Sequence, residues 1–168
     1  MSARITFYAA YDDAIIPQRQ HEGDAGFDLY AREGGRVPPG EVHAVGTGVV
    51  VAIPHGYVGL ITPRSGNAAR HNITVMNTPG IIDAGYRGEL KVLLYNAKFR
   101  PDDLSGAQAA KPAWIEDAFT WEAGDRIAQL LVVPAASMTL EVAVVGSDDE
   151  LPAPPDGRGG GGFGSTGV

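Results

Sequence analysis

Short apolar runs, most no longer than eight residues, recur along this chain and predict strands. "RITFY" alternates apolar and polar positions near the N-terminus, and "FDLYA" follows as a brief apolar stretch. Glu41–Ile53, "EVHAVGTGVVVAI", is rich in β-branched residues, and Tyr57–Thr62, "YVGLIT", comes after the turn "PHG". Ile73–Met76, Glu89–Asn96, Arg126–Val133 and Thr139–Val145 complete the set. Short runs punctuated by Gly, Pro, Asn and Asp are the pattern of a β-sandwich or barrel. Met76–Val92 reads as a β-hairpin, because apolar patches bracket "DAGYRG". Helix is expected only as a turn or two at Ser65–His71 and within Asp102–Ala110, since 23 glycines and 12 prolines leave little room for more.

Two segments break the pattern. Residues 98–123 carry two prolines, five acidic residues and both tryptophans, and read as an inserted surface loop with room for a short helix and strand of its own. Residues 147–168 begin acidic and proline-rich and end in "RGGGGFGSTGV". The expected organisation is therefore an all-β domain over residues 1–146, followed by an extended arm and a tail. Four consecutive glycines hold neither helix nor strand by themselves, yet Arg158 opens the run and Phe163 sits inside it.

Length and composition narrow the field. A compact part of roughly 130 residues can bury a sizeable core. The formal net charge of −7 argues against a nonspecific nucleic-acid binder, which needs a basic footprint. It leaves room for a small anionic ligand held by local arginines, backbone N–H groups and a cation. Cysteine is absent, which removes disulfides and thiolate metal sites and fits a reducing cytosol. No secretory signal or membrane-length apolar run is seen, so a cytoplasmic protein is expected.

Five stretches hold the candidate chemistry. In "GDAGFDLYA", Asp24 and Asp28 flank a turn; they either satisfy backbone donors or help hold a hard cation, directly or through water. In "PRSGNAAR", Arg64 and Ser65 offer donors to phosphate oxygens, or Ser65 merely caps a helix. In "MNTPGIIDAGYRGELKV", Asp83 can accept a proton from water, and Tyr86, with glycines on either side, has room to lie flat on a ligand ring; a tight hairpin explains the stretch equally well. In "GDRIAQLLVV", Gln129 is a polar group in an apolar run and needs a partner, either a phosphate or a neighbouring strand. In the tail, glycine N–H groups can face a polyphosphate, Arg158 can pair with its end, and Phe163 can stack on a base. The tail lacks the Gly-Lys-Ser/Thr of a P-loop. The four histidines have no metal-ligand spacing, and no nucleophile elbow precedes a helix.

Each stretch is weak alone, but their order is specific. "DAGFDLYA", "PRSGNAAR", "GIIDAGYRGEL", "GDRIAQLLV" and "RGGGGFGSTG" resemble, in sequence, the five motifs of the homotrimeric deoxyuridine triphosphatases (dUTPases), over roughly residues 4–97 and 124–167. The resemblance implies a jelly-roll β-barrel subunit, a three-fold trimer with active sites shared between chains, and Mg2+-assisted hydrolysis of dUTP to dUMP and pyrophosphate. It implies that Asp83 activates the attacking water. Arg64, Ser65, Gly66 and Gln129 would hold phosphates, and Tyr86 would pack on the deoxyribose. Asn77 and backbone groups along Gly80–Lys91, with Gly80, Ile82 and Lys91 among them, would form the uracil side of the pocket. Asp28 would support the metal through its water shell. Arg158 would grip the γ-phosphate, and Phe163, Gly164 and Ser165 would close over the nucleotide.

The dCTP deaminases share this fold but are expected to carry glutamate in place of the water-activating aspartate, so Asp83 speaks for dUTP hydrolysis. The departure from the family pattern is the segment 98–123. Trp114 and Trp121 there, with their acidic rim, suit a protein-partner patch; the reading preferred for large aromatics is a loop that folds back and buries its own tryptophans.

Overall fold

A computed structural model of the protein describes residues 4–98 and 117–136. These residues form strands β1 (Thr6–Ala9), β2 (Gly26–Tyr30), β3 (Gly35–Val37), β4 (Val42–Gly46), β5 (Val49–Ala52) and β6 (Tyr57–Pro63), then the short helix α1 (Ser65–His71). Strands β7 (Ile73–Val75), β8 (Gly80–Ile82), β9 (Lys91–Asn96), β10 (Phe119–Trp121) and β11 (Arg126–Pro134) follow. Every ladder among them is antiparallel. A four-stranded sheet runs β2-β11-β6-β8 and a three-stranded sheet runs β4-β9-β7, with two-stranded pairs β1-β5 and β3-β10.

The alternation of apolar residues is what one buried face demands. In β9, Val92, Leu94 and Asn96 are buried while Lys91 is exposed; in β5, Val49 and Val51 point inward. Most of these residues join Leu29, Val37, Val45, Ile61, Ile73, Leu90, Ile127 and Leu130 in one core. Two polar side chains, Thr47 and Asn96, are buried with it. Asn96 is satisfied: its Nδ2 donates to the Val37 carbonyl at 3.0 Å, and its Oδ1 accepts from the Lys98 N–H at 3.2 Å.

Four expectations are corrected by the structure. Met76–Val92 is not a hairpin, because β8 pairs with β6 whereas β9 lies between β4 and β7. Residues 83–90 therefore cross from one sheet to another. The run Glu41–Ile53 is two strands in different sheets, broken at Thr47 and Gly48, where Gly48 takes φ +70°. Such a backbone is open to glycine and costly for most other residues.

The segment 98–123 is not wholly a surface loop either. The short strand expected there, Phe119–Trp121, pairs with β3 and so joins the barrel, and Trp121 is only 5% exposed, as the preferred reading of the tryptophans had it. Its indole N–H donates to the Glu33 carbonyl at 3.0 Å, and its ring packs edge-on against His43. Trp121 is thus a barrel residue, not part of a partner patch. Finally, Arg64 occupies the N-cap of α1 without a side-chain cap bond, and Ser65 is the first helical residue, so Ser65 does not cap. The expected strand Thr139–Val145, Trp114 and the helix within Asp102–Ala110 lie outside the described residues.

Candidate active site

Strand β11 assembles the site through an irregularity. Arg126 faces Tyr30 and Ala128 faces Leu29, so one residue of β11, Ile127, is extra. A bulge of this kind re-aims the side chains that follow. Ile127 and Ala128 are both buried as a result, and Arg126 and Gln129, three apart, line the same cleft. In a regular strand residues three apart would face opposite sides.

That cleft has a volume of about 420 Å³ and is lined by Asp24, Asp28, Arg64, Ser65, Gly66, Arg126 and Gln129, among others. Asp28 stands opposite Gln129 on β2, and Thr62 stands opposite Gln129 on β6. The Asp28 side chain is only 13% exposed and is shared by two arginines. Arg64 Nε donates to Oδ1 at 3.1 Å, and Arg126 Nη1 donates to Oδ2 at 3.3 Å. Arg64 Nη1 also donates to the Arg126 carbonyl at 3.3 Å. The start of β11 is thereby tied to the start of α1, and both guanidinium groups are fixed around one carboxylate. Charge-assisted bonds of this type are the stronger and more directional ones.

Gln129 finds its partner within the sheet. Its Nε2 donates to the Pro63 carbonyl at 3.1 Å, while its Oε1 lies where a side chain at residue 26 would have to stand, 2.7 Å from the position a Cβ of Gly26 would take. Glycine at 26 is what lets the amide lie across β2. Ser65 is exposed, with Gly66 beside it at the first turn of α1.

The other predicted residues sit elsewhere. Gly80 and Ile82 belong to β8, with Asn77 packed beside Gly80. Asp83 and Tyr86 lie in the crossing that follows; Asp83 is exposed, and its carbonyl accepts from the Tyr86 N–H at 3.0 Å. Tyr86 is 42% exposed, and its hydroxyl donates to the Glu89 carbonyl at 2.9 Å. Lys91 opens β9 opposite Gly46, its amine 4.0 Å from Glu89.

The register gives the separation. Ile82 faces Gly59, five residues along the chain from Arg64, or roughly 17 Å at strand rise, and Asp83 follows Ile82. One chain therefore carries the candidate residues as two separate groups, an arginine cleft and an Asp83–Tyr86 crossing. Arg158, Phe163, Gly164 and Ser165 lie outside the described residues.

Arg126 was missed by sequence reasoning, although the Gly-Asp turn before it marked a strand entry; only the bulge sends it to the cleft. Among the described residues no group of three or more His, Cys, Asp or Glu side chains could hold a metal. Mg2+ does not require such a cage, since it usually keeps several waters and binds through one or two carboxylates plus substrate phosphates. Asp28, with Asp24 on the same cleft wall, fits that kind of support.

Comparison with known proteins identifies the family. The family model for dUTPase matches residues 12–101. The chain is 46% identical to the deoxyuridine 5′-triphosphate nucleotidohydrolase of Mycolicibacterium gilvum, over 99% of this chain and 97% of that one. Among solved structures, a mutant dUTPase of Staphylococcus bacteriophage 80alpha with dUpNHpp superposes with a TM-score of 0.78 at 30% identity, covering 99% of this chain and 100% of that one. A mutant dUTPase from phage phi11 of S. aureus, whose structure reveals the coordination of a structural Mg(II) ion, has a TM-score of 0.70 at 31% identity, covering 86% and 99% of the two chains. The architecture is the jelly-roll β fold of these enzymes, and the chain belongs to the dUTPase family.

Proposed function

We propose that the protein is a dUTP diphosphatase that converts dUTP to dUMP and pyrophosphate, limiting uracil incorporation into DNA and supplying dUMP for thymidylate synthesis in the cytoplasm. The observation that carries the reading is the cleft in which Arg64, Arg126, Ser65, Gly66 and Gln129 surround Asp28. Planar guanidinium donors with a hydroxyl and main-chain N–H groups suit phosphate oxygens.

The chemistry requires positioning more than covalent participation. Asp83 accepts a proton from a water aligned with the α-phosphorus. The water oxygen bonds to that phosphorus as the bond to the bridging oxygen of the β-phosphate breaks, and pyrophosphate leaves. Arg64, Ser65, Gly66 and Gln129 hold phosphate oxygens where charge develops. Tyr86 lies on the deoxyribose and leaves no space for a 2′-hydroxyl. Asn77, Gly80, Ile82 and the main chain up to Lys91 form the uracil pocket. Arg158 grips the terminal phosphate, and Phe163, Gly164 and Ser165 cover the bound nucleotide. Mg2+ bound with the triphosphate, its waters held by Asp28, would neutralise phosphate charge.

The separation of the two groups supports a shared active site. A base must come within hydrogen-bond reach of its proton, directly or through one water, and roughly 17 Å of strand between Arg64 and the Asp83 crossing is far beyond that. A homotrimer in which one chain supplies the arginine cleft and a neighbour supplies Asp83 and Tyr86 resolves the mismatch.

The test is product identity. Incubation with dUTP is expected to release pyrophosphate and dUMP, with dCTP left intact. Ammonia from dCTP, with no pyrophosphate from dUTP, would replace this reading with a deaminase.

A further inference from the structure

Thr47 is buried in the core, 1% exposed, and takes no part in the proposed chemistry. Its hydroxyl and its N–H are engaged at one place. The hydroxyl donates to the Leu90 carbonyl at 2.8 Å and accepts from the Val49 N–H at 3.2 Å, and the Thr47 N–H also donates to the Leu90 carbonyl, at 3.2 Å. Next to it, the Gly48 N–H donates to Glu89 Oε1 at 2.8 Å, and the Leu90 N–H donates to the Val49 carbonyl at 2.8 Å. The turn between β4 and β5 thus binds the end of the 83–90 crossing on three successive groups: the Glu89 carboxylate, the Leu90 N–H and the Leu90 carbonyl.

The consequence reaches Tyr86 through a single peptide plane. The Glu89–Leu90 peptide gives its N–H to Val49, and its carbonyl accepts the Tyr86 hydroxyl at 2.9 Å. A planar peptide turns as a unit, so fixing its N–H and its flanking side chain fixes the direction in which its carbonyl receives the phenol. The ring itself lies over Gly88, where any larger residue would overlap the phenol. We infer that the Glu89 side chain is a positioning group for the discrimination between deoxyribose and ribose: it is turned to the Gly48 N–H rather than to the nucleotide, but with Thr47 behind it, it holds the Tyr86 ring at the angle that excludes a 2′-hydroxyl. The inference rests on the role proposed for Tyr86.

The readout is the ratio of kcat/KM for dUTP to kcat/KM for UTP. A loss of folded protein lowers both terms equally and leaves the ratio unchanged. Glu89→Ala should lower the ratio about fivefold to tenfold, the scale of one lost hydrogen bond. Glu89→Gln should stay within about twofold, because its amide oxygen still accepts from Gly48. Tyr86→Phe, a surface change that removes only the hydroxyl, should lose as much as Glu89→Ala. The double variant should lose no more than either alone, since both break one linkage. An unchanged ratio in Tyr86→Phe, or additive losses in the double variant, would overturn the inference. So would an unchanged ratio in Glu89→Ala while Tyr86→Ala lowers it. An unchanged ratio in Tyr86→Ala itself would overturn the Tyr86 reading and the inference together.

Discussion

Asp28 separates what a carboxylate does for charge from what it does for geometry. Its two oxygens are divided between Arg64 and Arg126, so it orients both guanidinium groups before any nucleotide arrives, and in the proposed mechanism it would also support the Mg2+ waters. Asp28→Asn keeps the shape and one acceptor but removes the charge. The expected outcome is a rise in KM for dUTP and a shift to higher Mg2+ for half-maximal activity, each about tenfold, the lower end of what outer-shell ligands contribute. A magnesium titration at fixed dUTP checks it. Asp83→Asn asks the complementary question. Nucleotide binding, measured by titration calorimetry with a non-hydrolysable analogue, should persist, while turnover falls by about 10²- to 10⁴-fold, the range for loss of a general base. Arg64 was singled out in the sequence because it sits in an ordered motif, and the structure sets it in the cleft. Arg126 was not, since its presence in the cleft depends on the extra residue Ile127, and a bulge leaves no mark in the pattern of a strand.

Among the elements, strands were legible and their partners were not. The alternation in β9 and β11 follows from one buried face, a local property. Pairing is decided by residues far apart in sequence, and the apolar runs on either side of "DAGYRG" carry no statement that β8 goes to β6 and β9 to β4 and β7. The three-residue strand β3 was also invisible, being too short for a period to show, and β10 was expected only as a short strand within the inserted loop, not as β3's partner. Yet β10 contributes Trp121, whose indole packs against His43 and donates to the Glu33 carbonyl. Trp121→Ala should therefore cost about 3–5 kcal/mol, as for other large aromatics removed from a core. Urea unfolding at one fixed protein concentration measures it. A change below about 0.5 kcal/mol, the range of surface substitutions, would instead place Trp121 in an exposed partner patch.

For the whole molecule, the decisive quantity is the distance between the Arg64 cleft and the Asp83 crossing. If a neighbouring chain completes each site, inactivation by Asp83→Asn and inactivation by Arg64→Ala strike different chains of the same site. The two variants, each nearly inactive alone, should then complement one another. Denatured together at equal concentration and refolded, they should form mixed trimers in which about a quarter of the sites draw an intact Arg64 from one chain and an intact Asp83 from another, by random assortment of symmetric subunits. Pyrophosphate release should recover to about that fraction of wild-type activity, and sedimentation should report three chains per particle. Sites contained within one chain give a different result, because every chain then carries one lesion and mixing recovers nothing. The roughly 17 Å of chain between the Arg64 cleft and the start of the Asp83 crossing favours recovery, since no rotamer of either side chain spans that length and the strand between them is held on both edges, by β11 and by β8.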